Sequence, residues 1–245
     1  MYRLADAVNL YRLGMVLSVR GETVEAESVY RNSLAFWEAA NVAHLRGFLL
    51  ACLAQQELWK GKFDLAYELA SEASTWFDKE KRANNAMTQH RLLGTIAMER
   101  GELRTAEEEL HQALTLARGT ERIEEELLSL EPLAKLRGRQ GRPAEAREVL
   151  ARMFQLGRQE SYPLFYANAY NVLTSIERLE HRTREAIVAA SEAYRLAWCD
   201  GPPYAYHWGI ETAKQNLLEM GAPIPILPPF DASKFPSMPG ATATP

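Results

Sequence analysis

Cysteine is nearly absent: 245 residues hold two, Cys52 and Cys199. They lie in distant parts of the chain, so no disulfide framework is expected and a reducing cytoplasm suits the composition. No apolar run reaches the roughly 18 residues a membrane-spanning helix needs, and the first residues carry no basic flank leading into a long apolar segment, the pattern of a secretory signal. Charge of one sign is also scarce. Lys and Arg number 28 against 32 Asp and Glu, a net of −4, which argues against nucleic-acid or anionic-membrane partners. Clustered glycine is missing, so there is no phosphate-cradling loop, and no Gly-x-Ser-x-Gly elbow occurs. The cysteines show no metal-ligand spacing. His207 and Glu211 are four apart on one helix face, but two ligands without a third are better explained by packing of His207 among Trp208, Tyr204 and the tail. The acids Glu107, Glu108 and Glu109 belong to a solvated outer face. No catalytic residue, metal or cofactor is expected.

What the chain does have is a period of 40. A leucine slot reads Leu13, Leu53, Leu93, Leu133, Leu173, and the slot after it reads Gly14, Ala54, Gly94, Ala134, Thr174. A turn slot reads Gly21, Gly61, Gly101, Gly141, His181, followed by Ala26, Ala66, Ala106, Ala146, Ala186. Unslipped self-similarity of this length is the signature of a solenoid, in which hairpins too small to bury their own apolar faces stack on one another. Each unit reads as two helices. The first has apolar residues at three-and-four spacing, as in Leu10, Leu13, Gly14 and Leu17. The turn glycine supplies a positive φ, and His181 must tolerate that angle or reshape the turn. Pro143 suits a first helical position. The repeated alanine marks the closest approach of the two helices, where a larger side chain would overpack.

The motif Leu13, Gly14, Gly21, Ala26, Tyr30 and Ser33, repeated as Leu93, Gly94, Gly101, Ala106, Leu110 and Ala113, resembles the tetratricopeptide (TPR) repeat over residues 7–199. HEAT repeats share a period near 40, but the glycine-then-alanine spacing favours TPR. Two departures stand out. The aromatic of the first helix is mostly leucine here, and the closing proline is replaced by Glu38, Asp78, Arg118, Arg158 and Trp198. Without that proline the helices run on, by about one and a half turns per unit relative to the usual 34 residues. The segment from Tyr194 to Met238 also resembles the end of repeat arrays in large bacterial signalling (STAND-type) ATPases.

The expected fold is all-α: a right-handed α-solenoid of five helix-turn-helix repeats, at about 2–41, 42–81, 82–120, 121–160 and 161–200, with a capping helix at 204–220. The solenoid would occupy 1–221 as one elongated domain, and 222–245 would form an extended Pro-rich tail. Ile224, Leu227, Phe230 and Phe235 suggest that the tail lies over the cap, with an unstructured end after Met238. The first helix lacks a capping Ser, Thr, Asp or Asn, so the chain reads as the C-terminal part of a longer protein. Pro132 is expected to kink the helix that contains it. Acids at Glu124, Glu125, Glu126 and Glu131 precede bases at Lys135, Arg137, Arg139, Arg142, Arg147 and Arg152, a pattern that suits solvated helix faces or a docking patch. Trp37, Trp59, Trp76 and Trp198 read as core packing between units.

A curved stack offers its inner surface as a groove, and in TPR arrays the first helix of each pair lines it. The inward slots hold Tyr11 and Met15 (with Val8), Phe48 and Gln55, Asn84, Thr88, Arg91 and Thr95, Lys135 (with Leu128 and Glu131), and Asn168, Asn171 and Ser175. Amides can pair with a peptide backbone while the apolar end takes side chains, so the expected guest is an extended peptide or partner segment. The lysine-and-asparagine clamp with which some TPR proteins hold a C-terminal carboxylate is absent. The sequence thus points to a non-catalytic, cytoplasmic recognition, sensor or adaptor module of a bacterial signalling protein. The alternative is a scaffold that self-associates end to end through its uncapped first helix.

Overall fold

The computed structural model describes residues 2–39, 45–80, 83–120, 122–157 and 163–234. The first residue, the links at 40–44, 81–82, 121 and 158–162, and the stretch from 235 onward lie outside them, so Phe235 and the end expected to be unstructured after Met238 are not described. Eleven α-helices run through the described residues, which contain no strand: α1 (Tyr2–Val19), α2 (Thr23–Ala39), α3 (Arg46–Trp59), α4 (Phe63–Glu80), α5 (Ala83–Glu99), α6 (Leu103–Arg118), α7 (Ile123–Arg139), α8 (Pro143–Gly157), α9 (Pro163–Leu179), α10 (Thr183–Trp198) and α11 (His207–Glu219). Helices α1 to α10 form five hairpins in a TPR-like solenoid. Each odd helix touches the next odd helix, from α1 through α11, so the odd helices form an inner layer and the even ones an outer layer.

The repeating slots explain the packing. Ala26, Ala66, Ala106, Ala146 and Ala186 are each 0% exposed, the point in every hairpin where the two backbones come closest. At Gly14 the approach is closer still, since a Cβ there would sit 2.5 Å from Tyr30 Cε1. The turns obey one rule. After α5, Gly101 N–H donates to Met98 O and Glu102 N–H to Ala97 O, the paired bonds that end a helix through one residue of positive φ. His181 takes φ 58° and makes the same two bonds, through His181 N–H to Arg178 O and Arg182 N–H to Glu177 O. The fifth turn therefore keeps its geometry and carries the strain of a side chain in the left-handed region. Helix α7 runs unbroken through Pro132.

The bases of the fourth unit form neither a free patch nor an idle solvated face. Arg139 chelates Glu99 with two bonds of 2.7 Å, one repeat back. Arg137, buried, reaches Glu107 at 2.5 Å. Arg152 holds Glu126, and Arg147 reaches forward to Glu177 and Glu180. They tie hairpins and neighbouring repeats together.

The expectation of an open, elongated rod needs correction. Helix α11 packs on α10, and the chain after it touches this end: Trp198 Nε1 donates to Pro228 O at 2.8 Å, and Tyr204 packs on Phe230 at 4.6 Å. But the start of α11 also meets the first two hairpins. Trp208 Nε1 donates to Ser18 O at 2.8 Å across 190 residues, and its indole stacks on Trp59 with centroids 4.5 Å apart. His207 lies against Gly21, where any Cβ would overlap the imidazole, and edge-on to Trp208 at 5.0 Å. Small rotations per repeat accumulate until five hairpins curl round and the cap touches the beginning.

Candidate binding chamber

Closure turns the inner groove into a chamber. Two contiguous cavities of about 510 and 480 Å³ occupy it. Both border Trp59, Glu99, Glu131, Lys135, Asn168 and Tyr206. The first extends toward Asn171, Ser175, Leu179, Trp208 and Thr212. The second extends toward Gln55, Arg91, Thr95 and Leu128. The wall is built from one stripe on each inner helix, because residues four apart share a helix face. Arg91, Thr95 and Glu99 come from α5; Glu131, Lys135 and Arg139 from α7; Asn171, Ser175 and Leu179 from α9. Tyr206, just before α11, and Trp208 close the remaining side.

The charges inside are mostly matched. Lys135 Nζ and Asn168 Nδ2 both donate to the Glu131 carboxylate at 2.7 Å. Burial opposes ionisation of Glu131, but Lys135 outweighs it, with help from Asn168 and Arg91, and the carboxyl sits below its usual range. Tyr206 contacts Asn168, and its phenol is pushed up by burial and then by the negative Glu131. Glu99 is chelated by Arg139. Arg91 donates no hydrogen bond and closes no ion pair among the described residues, but Glu125 and Glu131 lie near enough to favour its charge, and its backbone carbonyl accepts from Thr95 Oγ1 at 2.7 Å.

Of the residues expected in the groove, Gln55, Arg91, Thr95, Lys135, Asn168, Asn171 and Ser175 border the chamber, as do Leu128 and Glu131. Asn171 is also a fastening: it is buried, and its Nδ2 donates to Gly209 O of α11 at 3.0 Å. Tyr11, Met15, Phe48 and Thr88 do not border it. Tyr11 turns into the first hairpin beside Tyr30 and Cys52, where burial pushes its phenol up to about 12. Phe48 packs edge-on against Phe77 in the second hairpin. Met15 is exposed, and Thr88 is partly buried. The Asn84 side chain lies outside what is described.

The missed residues fall into two groups. Trp59, Glu99, Arg139 and Leu179 occupy one repeating slot, a single turn beyond Gln55, Thr95, Lys135 and Ser175. Extending the stripe by four would have found them, and Trp59 would not have been assigned to the core. Tyr206, Trp208 and Thr212 carried no such signal, since no periodicity shows that the cap faces inward. Among the described residues no group of His, Cys, Asp and Glu is placed to hold a metal, and no helix is long and apolar enough to cross a membrane.

The MalT-like TPR region matches residues 4–218. The chain belongs to that family. The match spans all five hairpins and α11, so the closing helix lies within the family's extent. It is also in keeping with the likeness of the C-terminal segment to signalling-ATPase repeat arrays. Among solved structures, BtubC (BKLC) from P. vanneervenii superposes with a TM-score of 0.55 at 13% identity, covering 84% of this chain and 89% of that one. The nearly identical TPR-like repeats of a Podosopora anserina kinesin light chain superpose at 0.52 with 20% identity, covering 78% and 94%. At such identities these likenesses show the fold alone. No curated protein matches the chain. TPR-like repeats generally mediate protein–protein interaction and are generally not catalytic, and the MalT-like chain shares that scaffold.

Proposed function

We propose that residues 1–221 form a recognition module that holds a short extended segment of a partner protein inside the chamber, with 222–245 as a Pro-rich tail. The supporting observation is the pair of contiguous cavities walled by amides, hydroxyls and aromatic rings on adjacent inner helices. Gln55, Asn168, Thr95 and Ser175 can pair with a peptide backbone, while Trp59, Tyr206, Trp208 and Leu128 offer surfaces for side chains. The resemblance to signalling-ATPase arrays supports the finer reading that such a module acts as a cytoplasmic sensor or adaptor in a bacterial signalling protein. The test fills the chamber. Thr95→Trp occupies one half and Ser175→Trp the other, both from partly buried or exposed positions that do not build the core. A peptide selected on the native protein should lose binding to one or both variants while their melting temperatures stay near the native value. Binding that survives both substitutions refutes the reading.

A second reading has its own support. Leu13 is 47% exposed and Val16 54%, whereas the counterparts of Leu13 in later units, Leu53 and Leu133, are 2% and 3% exposed. An apolar face of α1 therefore stands uncovered, and end-to-end self-association would cover it. Light scattering over a concentration series decides: a mass that stays monomeric at every concentration defeats it.

A further inference from the structure

The seam that closes the ring is thin, and it lies on the chamber wall. Helix α11 packs along α9 and α10, and its Ile210 and Ala213 join Ala193 and Ala197 in one buried cluster. Arg178 adds a hydrogen bond to Asn216 at 2.8 Å and an ion pair to Glu219 at 2.7 Å. The seam has nothing comparable among the described residues: no buried apolar cluster joins α11 to the first two hairpins. The cap meets them through two side chains of its first turn, Trp208 on Ser18 and Trp59, and His207 on Gly21. Yet a guest touches both sides of this seam. Trp59 of the second hairpin borders both cavities, as does Tyr206 at the start of the cap, and Trp208 borders the larger one. An occupant resting on Trp59 and on Tyr206 or Trp208 makes those contacts together only while the ring is closed. It therefore binds the closed ring more tightly than an open one, and that difference shifts the population toward closure. The coupling is reciprocal, so whatever loosens the seam weakens the guest.

We propose that the ring opens and closes at this seam and that a segment bound in the chamber holds it shut. Occupancy of the chamber is thereby reported elsewhere on the molecule. A separate cleft of about 390 Å³, which shares no lining residue with the chamber, spans the same seam. Arg20 and Glu22 of the first turn form one of its walls, and Pro202, Pro203, His207 and Lys214 belong to the other. Opening the seam parts those walls, so the cleft exists as one surface only in the closed ring. The proposal rests on the chamber reading above and adds to it how occupancy of that site is reported.

The experiment uses a displayed library of random peptides, selected on the native chain and kept if Thr95→Trp or Ser175→Trp abolishes their binding. Gly21 and His207 border neither chamber cavity. Gly21→Ala, whose methyl would overlap the imidazole of His207, therefore loosens the seam without altering the peptide's site. Gly101→Ala is the control: its φ is 81°, nothing lies within 4 Å of its methyl, and it too borders neither cavity. Small-angle scattering should give a larger radius of gyration for Gly21→Ala than for Gly101→Ala, and saturating peptide should return it to the native value. The chamber-dependent peptides should bind Gly21→Ala about fivefold or more weakly than Gly101→Ala, and adding His207→Ala should recover most of that loss. An opened Gly21→Ala ring that binds as tightly as Gly101→Ala overturns the proposal while leaving the chamber reading intact. The bulkier Gly21→Trp repeats the comparison where alanine leaves the seam shut. A radius unchanged in both overturns the proposal as well, because the seam then does not open. If no peptide depends on the chamber, both readings fall.

Discussion

Trp208 and Ser18 are joined by a hydrogen bond of 2.8 Å from indole Nε1 to the backbone carbonyl, though 190 residues separate them. Ser18 is also a node of the first repeat interface. Its hydroxyl meets Tyr30 OH at 3.1 Å and accepts from Gln56 Nε2 at 2.9 Å. The contact that closes the ring thus lands on a residue already fixed by three helices. The same Trp208 ring stacks on Trp59, so one side chain fastens α11 to the first and second hairpins together.

Removing that side chain should open the ring without unfolding the hairpins. Trp208→Ala is expected to cost about 2–3 kcal/mol, from lost stacking area and one hydrogen bond. The radius of gyration by small-angle scattering should rise, and the paired-indole band in near-ultraviolet circular dichroism should vanish. Trp208→Phe keeps a ring on Trp59 and loses only the hydrogen bond, about 1 kcal/mol. An unchanged radius in Trp208→Ala would mean the closure is held elsewhere.

Two turn glycines separate the cost of the turn from the cost of closure. Gly61 has φ 73° and nothing within 4 Å of the place a methyl would occupy, whereas Gly21, at φ 79°, would drive a methyl into His207. Gly61→Ala should therefore cost about 1 kcal/mol of backbone strain alone. Gly21→Ala should cost that plus about 1–3 kcal/mol of overpacking, and His207→Ala in the same chain should recover most of the excess. Equal melting temperatures for the two alanine variants would remove His207 from the closing contact.

The fifth turn offers the reverse experiment. His181 is exposed, sits at φ 58° and has the backbone bonds that glycine makes in the other turns. His181→Gly should stabilise by about 0.5–1 kcal/mol, the left-handed strain relieved less the entropy glycine adds to the unfolded chain. Chemical denaturation at constant slope measures it; a loss of stability would show that the imidazole makes a favourable contact.

Why these turns were legible and the ring was not is a matter of range. The glycine and alanine slots report contacts inside one hairpin, so a single repeat encodes them and five copies amplify the signal. Seven of the expected groove residues face the chamber for the same reason: they lie on one helical stripe. Curvature is a sum of small angles between units, and no local pattern records the sum. Nothing in the sequence therefore marks Tyr206 and Trp208 as facing inward. The basic run misled in a similar way. Along the chain Arg139 and Glu99 are one period apart, beyond any helix-face rule, yet stacking brings them into chelating contact. Tyr11 and Phe48 show the limit from the other side, since they sit near the stripe but rotate into the hairpin cores.

Those inter-repeat pairs make acid the natural denaturant. Hydrogen bonds from Arg137, then Gln140, hold the Glu107 carboxyl below its ordinary 4.5. At Glu126 burial raises the value, but Arg152 and Arg118 outweigh it, and the net direction is again down. A carboxyl depressed on folding stabilises fully above its unfolded value, and that contribution is lost as pH falls through the folded value. Melting temperature should therefore be flat from pH 7 to about 5 and fall below about 4.5. The double variant Glu107→Gln, Glu126→Gln should melt lower than the native chain at pH 7 and lose less between pH 4.5 and 3, because the groups whose protonation drives the transition are gone. Parallel curves for the two proteins would place the acid sensitivity in other carboxylates.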